Sequence, residues 1–258
     1  MRLAVLGSGS SGNSVVIESN HGRLMLDAGF TCRQLSLRLG ALNRTPDGID
    51  ALLLTHEHRD HTQGADVLLR RHGLPFFATR GTLEGSRLPP KLRERGRVVR
   101  SGVRFEVAGF QVEPFGIPHD AREPVGFVVE DREGHRVGLA SDIGYRSQLA
   151  WAKLRDLDAL ILETNHDVHM LRTGPYPWVL KQRVAGRRGH LSNEEASQGL
   201  ADLVSERLRF VVAYHLSRTN NLPALVAQEI GERLDALGSN AQVVVSSQTE
   251  PTSWLDIP

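Results

Sequence analysis

The stretch L-L-L-T-H-E-H-R-D-H, Leu52 to His61, decides how this chain is read. A run of leucines forms a buried strand, and His56, His58, Asp60 and His61 follow within six residues. A loop leaving a strand end can turn all four side chains toward one point. Imidazole and carboxylate together suit zinc, manganese or iron(II) in a catalytic site, whereas structural zinc usually relies on thiolates. A solvated loop that happens to be rich in histidine is the bland alternative. It leaves the density of ligand-type residues unexplained.

Four ligands do not complete two metal sites, so partners are expected at later strand ends. His119-Asp120 follows the run Gln111–Phe115, and Asp142 follows Arg136–Ala140. Glu163, with Asn165-His166-Asp167 behind it, closes Ala159–Glu163, and His215 follows Phe210–Tyr214. Each lies at the carboxyl end of an apolar strand, where α/β folds tend to assemble their sites. Further strands are expected at Leu3–Leu6, Val15–Glu18, Leu24–Asp27, Ala51–Thr55, Phe76–Ala78, Arg104–Val107, Gly126–Glu130 and Gln242–Ser246. Helical period covers Thr31–Leu42, Thr62–Arg71, Arg146–Leu154, Pro177–Ala185, Asn193–Ser205 and Pro223–Leu237. Ser192 and Glu195 form a capping-box pattern, and Gly238 is placed to end the last helix. Strands separated by helices, mixed with strands in direct succession, predict an α/β protein with mixed sheets in one domain, residues 1–258.

With 40% hydrophobic and 24% charged residues, the composition is that of an ordinary globular protein. Thirty-one Lys+Arg against 30 Asp+Glu leave no global basic field, so any nucleic-acid signal must be local. Basic clusters occur at Lys91–Arg97 and Lys181–Arg188. The single Cys32 excludes an internal disulfide framework and fits a reducing compartment. No apolar run approaches the roughly 20 residues of a membrane span, and the short apolar N-terminus does not read as a signal peptide. A cytoplasmic protein without a membrane partner is expected.

The loop G-S-G-S-S-G-N-S, Gly7 to Ser14, invites a phosphate-cradle reading. A P-loop requires a Gly-Lys-Ser/Thr ending and a following helix, but Val15-Val16-Ile17-Glu18 reads as a strand. The loop is therefore expected to connect an N-terminal hairpin, with Gly and Asn at positive-φ positions.

H-E-H-R-D-H resembles the H-x-H-x-D-H motif of the metallo-β-lactamase superfamily. Asp27 in L-D-A-G, His119, Asp142 and His215 resemble its other motifs in the expected order, over nearly the whole chain. G-S-G-S-S-G-N, P-H-D-A, S-D-I-G, E-T-N-H-D, G-H-L-S-N-E-E and H-L-S-R-T-N-N together are similar to the YycJ/WalJ (VicX)-type branch, regarded as 5′-to-3′ exonucleases on DNA. The resemblance implies an αβ/βα four-layer sandwich with two mixed sheets face to face and helices outside. It implies two divalent ions per chain, Zn²⁺ or Mn²⁺. His56, His58 and His119 would hold one, Asp60, His61 and His215 the other, with Asp142 bridging. Asp27 would orient the histidine loop from behind, or else cap the turn that follows it. A cysteine at the Asp142 position would point to a β-lactam hydrolase, and none is there.

Two metals about 3.5–4 Å apart can share a hydroxide and stabilise both the attacking and leaving oxygens of a phosphodiester displacement. The leaving alkoxide then needs a proton donor. Gly189-His190-Leu191-Ser192 resembles the G-H-S-T segment of ribonuclease Z-type phosphodiesterases, and Glu163 resembles the acidic residue that orients its histidine. The expected catalytic set is Asp60, at the reacting centre, with Glu163 and His190. Arg172, Tyr176, Lys181 and Arg183, close in sequence to His190, suit phosphate contact and base stacking. The resemblance also implies that the hairpin lies at the metal-bearing edge, where its N–H groups with Ser11 and Asn13 would hold a substrate phosphate.

The resulting expectation is a dinuclear-metal phosphodiesterase acting on a DNA partner as a 5′-to-3′ exonuclease; a repair role follows from the resemblance alone. Alternatives are an RNA-processing or small-molecule phosphodiesterase, a thioester hydrolase of the glyoxalase II type, and a non-catalytic DNA-binding regulator. The last should have lost ligands, and all seven are present.

Overall fold

The first strand, R-L-A-V-L-G, is buried from Leu3 onward on both of its faces. Such a strand needs cover on each side, so it must belong to an inner layer. A computed structural model describing residues 1–258 shows how that cover is built. The N-terminal half supplies β1 (Arg2–Gly7), β2 (Ser14–Ser19), β3 (Gly22–Leu26), β4 (Ala51–Leu53), β5 (Phe76–Ala78) and β6 (Arg97–Val98) to one sheet. The second sheet takes β7 (Phe105–Val107), β8 (Phe110–Gly116), β9 (Val125–Glu130), β10 (Arg136–Ala140), β11 (Ala159–Glu163), β12 (Phe210–Tyr214) and β13 (Gln242–Val245). The last strand, β14 (Leu255–Asp256), returns to the first sheet beside β1.

Helices follow in chain order. The first half carries α1 (Cys32–Ala41), α2 (Arg59–Thr62), α3 (Ala65–His72), α4 (Arg80–Gly85) and α5 (Pro90–Arg93). The second carries α6 (Gln148–Lys153), α7 (Val168–Thr173), α8 (Trp178–Val184), α9 (Asn193–Gly199) and α10 (Pro223–Ala236). Leu3, Val5, Leu26, Phe127, Ile161 and Tyr214 fill the space between the sheets. The outer face of the first sheet packs Ala4 and Met25 against Leu35 and Leu39 of α1 and Leu68 of α3. The outer face of the second packs Leu160 and Leu162 with Trp151, Ala196, Val226 and Ile230 of α6, α9 and α10. The result is the αβ/βα four-layer sandwich. No helix is long and apolar enough to cross a membrane.

Both sheets change character part-way across. β1, β2 and β3 pair antiparallel, then β3 to β6 run parallel. β7 to β10 are antiparallel, and β10 to β13 are parallel. The parallel strands β3, β4, β10, β11 and β12 all end at one edge of the sandwich, where Asp27, the His56–His61 loop, Asp142, Glu163 and His215 follow them.

Local signals are obeyed closely. Thr31 and Ser192 cap α1 and α9 with full capping boxes, and Gly238 ends α10 at φ +66°. The hairpin reading of Gly7–Ser14 holds, since β1 and β2 are antiparallel neighbours. Its conformational detail differs. Gly9 takes φ +141°, but Asn13 is not in the left-handed region, because its side chain rather than its backbone makes the turn. The helix expected from Thr62 starts at Ala65, since Arg59–Thr62 forms a separate turn inside the ligand motif. The α9 run stops at Gly199 and continues as a 3₁₀ turn to Asp202.

Candidate metal centre and active site

Three site residues stand in a backbone conformation that side chains rarely adopt: Asp27 (φ +59°), Asp142 (φ +58°) and His215 (φ +58°). Each follows a buried strand within two residues and turns the chain sharply, so that its side chain points back across the sheet edge. Left-handed backbone at non-glycine positions costs about 1–3 kcal/mol and persists only where surrounding contacts fix it. Here those contacts belong to the site.

Behind the histidine loop, Asp27 accepts hydrogen bonds from Thr55 N (2.8 Å) and Thr55 Oγ1 (2.8 Å) and pairs with His61 Nδ1 at 2.7 Å. Both readings of Asp27 therefore meet in one carboxylate: it fixes the turn backbone and orients the ring. With Nδ1 so held, His61 Nε2 faces Asp142 Oδ2 at 3.1 Å and Asp60 Oδ2 at 3.5 Å. Gly29 permits this packing, since a Cβ there would lie 1.7 Å from the Asp60 carbonyl oxygen.

Two ligand groups result. His56, His58 and His119 converge, with His119 Nε2 3.3 Å from His58 Nδ1. Asp60, His61 and His215 converge in the second, His215 Nε2 lying 3.3 Å from Asp60 Oδ2. Asp142 stands between them: its Oδ1 is 3.7 Å from His119 Nε2 and 3.4 Å from His215 Nε2. All seven predicted ligands are thus brought together.

The donor set fits divalent cations. His56 Nε2 is fully buried and has no hydrogen-bond partner in the fold, an uncompensated position unless a cation takes its lone pair. Burial and the nearby His61 charge hold His56 well below the ordinary histidine pKa. Burial alone would lower His61 and His215 too, but the carboxylates of Asp142, Asp27 and Asp60 push His61 well up, and those of Asp142, Asp60 and Glu163 take His215 to about 10. A field that binds protons this firmly also attracts divalent cations, which compete for the same nitrogens.

Glu163 sits at the next strand end, fully buried. Its Oε1 meets His190 Nδ1 at 2.7 Å and His215 Nδ1 at 3.2 Å, while Oε2 accepts from Ile143 N (2.7 Å) and Leu191 N (3.2 Å). Burial would raise its pKa, yet the His190 charge and these hydrogen bonds bring it down to about 2. His190 shows the reverse balance. Burial lowers it, and the Glu163 carboxylate outweighs that and holds it above the usual range. The His190 ring stacks on His215 with centroids 5.2 Å apart, and its Nδ1 is 3.7 Å from Asp142 Oδ1. Gly189 makes room for this turn, as a Cβ there would lie 2.1 Å from Val184 O.

The expected substrate contacts divide. Tyr176 and Arg183 border the metal cavity, a space of about 190 Å³. Arg183 is tied to Asp120 by hydrogen bonds of 2.7 and 2.9 Å, so its guanidinium is already shared. Arg172 and Lys181 are not brought to the metal cavity; they line a different one, on the other side of α8. Ser11 is exposed with its N–H on Gln248 Oε1, and Ser10 rather than Ser11 lines the metal cavity. Asn13 requires correction. It is fully buried, and its amide is engaged with Ser8, Gly9, the Asp60 carbonyl and His61. It braces the ligand loop and has no surface to offer a phosphate.

Sequence reasoning missed Asn165, whose amide donates to His215 O at 2.9 Å, and Ser8, whose hydroxyl accepts from His215 N at 2.7 Å. Asn165 lies inside E-T-N-H-D, directly after a strand end, so its position was a usable signal. Ser8 had none, because its partner is 207 residues away.

The β-lactamase superfamily domain matches residues 22–215, which contain every one of these ligands. The chain belongs to the metallo-β-lactamase superfamily. Within it, the chain is similar to the exodeoxyribonuclease WalJ of Streptococcus pneumoniae, 34% identical over 230 residues, 87% of this chain and 84% of that protein. It is 31% identical to the exodeoxyribonuclease YycJ of Bacillus anthracis over 240 residues, 92% and 90% of the two chains. Among solved superfamily structures, Zn²⁺-bound PqqB from Methylobacterium extorquens superposes with a TM-score of 0.70 at 20% identity, over 99% of this chain and 100% of that one. That likeness concerns the fold.

Proposed function

We propose that this protein is a dinuclear-metal exodeoxyribonuclease that hydrolyses DNA from a 5′ end. The observation that carries the phosphodiesterase reading is the Glu163–His190 pair set against Asp142 and His215. The relatives' names support DNA as substrate. In this reading His56, His58 and His119 would hold one divalent ion and Asp60, His61 and His215 another, with Asp142 available to both; zinc and manganese both suit such ligands. When bound, the ions supply Lewis-acid polarisation of the phosphoryl group and lower the pKa of a nucleophilic water.

The chain's own groups do the rest. Glu163 binds His190 Nδ1–H and so leaves Nε2–H as the free proton donor. The side chain of His190 is 20% exposed, at the metal cavity, which places that proton within reach of a leaving oxygen. Because Glu163 also meets His215 Nδ1, one carboxylate sets the orientation of both a ligand and the acid. Asp27 performs the same service for His61. Tyr176 stands at the rim, where a base or sugar would pass.

The test is metal-dependent loss of 5′-phosphorylated duplex DNA by wild-type protein, Asp142→Ala and His190→Ala. Wild-type activity abolished by the first change and cut about 10²- to 10⁴-fold by the second is expected. Hydrolysis of a thioester with DNA left intact would show the reading to be wrong.

A further inference from the structure

A space of about 190 Å³ takes a phosphodiester group and little more, so the bases flanking it must lie elsewhere. A larger cavity, of about 800 Å³, opens on the far side of α8. Trp178, Lys181, Gln182 and Ala185 line it at helical spacing i, i+3, i+4 and i+7, so they form one face of that helix. Tyr176 and Arg183 border the metal cavity instead. The helix buries none of its own residues and stands as a partition between the two spaces. Tyr176 and Trp178 flank Pro177 at its N-terminal end, one lining each cavity.

Three features limit what the larger cavity can take. Trp178 is 67% exposed, a large flat apolar face left in solvent beside exposed Val168. Arg172 makes no ion pair within the fold, and Lys181 spends one of its three donors on the Arg172 carbonyl. His166 lines the inner wall at 3% exposure, and its Nδ1 is buried without any partner. Glu194 and Glu195 line the cavity as well, Glu194 accepting from Gln198 Nε2 at 3.2 Å and Glu195 closing the Ser192 capping box, so both carboxylates are already engaged. An aromatic face, a histidine and two cations beside them are the elements of nucleotide recognition. The face stacks a base, the His166 side chain borders the base edge and the cations meet phosphates.

We propose that this cavity seats an unpaired nucleotide of the DNA strand being degraded, with its base on Trp178, its edge toward His166 and its phosphate between Arg172 and Lys181. The proposal rests on the nuclease reading above. A helix with its side chains is about 10 Å across and a stacked nucleotide advances only about 3.4 Å, so the seated unit lies at most about three nucleotides from the cleaved bond. The strand would cross from one cavity to the other over Pro177, between the two aromatic rings. Arg172 and Lys181 thereby act on the substrate, though not at the reacting phosphate. The segment 172–188 then reads as one device that leads the strand between two aromatic rings, from the metal cavity to the larger one.

The test is a set of 5′-phosphorylated single strands carrying one abasic residue at each of the first five positions, degraded by wild-type protein, Trp178→Ala and Trp178→Phe. In wild type, one abasic position should raise KM about 5- to 150-fold, the range expected for one stacked base, with kcat changed less than about two-fold. Trp178→Ala should raise KM on the intact strand by a similar factor and respond to no position, while Trp178→Phe keeps most of the effect. A flat scan in wild type, or wild-type KM in Trp178→Ala, overturns the proposal. Anisotropy of a fluorescein-labelled single-stranded 12-mer provides a readout independent of cleavage. If wild type leaves every strand intact yet binds the 12-mer more tightly than Trp178→Ala, the nuclease reading fails and the cavity assignment stands. Equal binding by both proteins overturns the cavity assignment.

Discussion

Replacing Glu163 by Gln tests the acid assignment through a change of sign. Two opposed effects act on His190: burial favours the neutral ring, and the Glu163 carboxylate at 2.7 Å favours the imidazolium. The carboxylate wins, so His190 keeps its proton above the ordinary histidine pKa. In Glu163→Gln the burial remains and the charge goes, so the pKa must fall. A hydrogen bond to a charged partner contributes about 1.5–3 kcal/mol, which corresponds to about one to two pKa units. A general acid is active below its pKa. The alkaline limb of kcat should therefore move about one to two units toward acid, with a loss of about 10- to 100-fold at slightly alkaline pH that is recovered as the pH is lowered. The assay is kcat on 5′-phosphorylated DNA from pH 5.5 to 9, with bound metal measured in parallel because Glu163 also meets His215. A variant with full metal content and an unmoved alkaline limb would refute His190 as the acid.

Asp27→Asn keeps size and removes the charge behind His61, and a competing chelator should report metal affinity reduced about 10- to 100-fold; unchanged affinity would leave Asp27 a turn cap only. Asn13→Ala strips partners from the Gly9 N–H and the Ser8 hydroxyl in a fully buried loop, and denaturant unfolding should show a loss of about 1–3 kcal/mol. Intact stability with weakened DNA binding would instead make Asn13 a phosphate contact. Far from the site, Glu18 is held by Arg2, Arg23 and Arg44 at 2.8–2.9 Å. Burial would raise its pKa, and the three arginines together depress it strongly. The stabilisation is thus present above the ordinary carboxylate pKa and is lost as pH falls through the depressed value. Glu18→Gln should cost about 2 kcal/mol at pH 7 and progressively less below about pH 4.5, measured by urea unfolding at each pH. A pH-independent difference would contradict it.

Most of the strands and the convergence of the candidate ligands were legible in the sequence because one physical rule governs both. Apolar runs buried on two faces must be inner strands, and polar residues directly after them must emerge at a sheet edge. His56, Asp142, Glu163 and His215 all announce themselves that way. Short elements escaped for lack of period. The segment R-G-T-L-E-G of α4 holds two glycines, α7 spans six residues, and β14 pairs two residues with a strand some 250 positions earlier. The placement of the expected substrate contacts was not legible, for a different reason. Composition marked Arg172, Tyr176, Lys181 and Arg183 as one basic track, but only the folded segment sorts them: α8 turns Lys181 and Arg183 toward different cavities, while Arg172 on α7 and Tyr176 before α8 fall one to each. Asn13 was misread because a glycine- and serine-rich loop looks solvent-facing. Its asparagine is buried by Asp60 and His61, which lie far along the chain.

The most direct measurement of the central claim is a time course on duplex DNA labelled at the 5′ end in one sample and the 3′ end in another, with Zn²⁺, Mn²⁺ or chelator. The account predicts metal-dependent cleavage in which the 5′ label is released at once as a small product while the 3′-labelled strand shortens stepwise, with both lost in Asp142→Ala. Cleavage that persists in chelator or in Asp142→Ala, or that releases the 3′ label first, would contradict it.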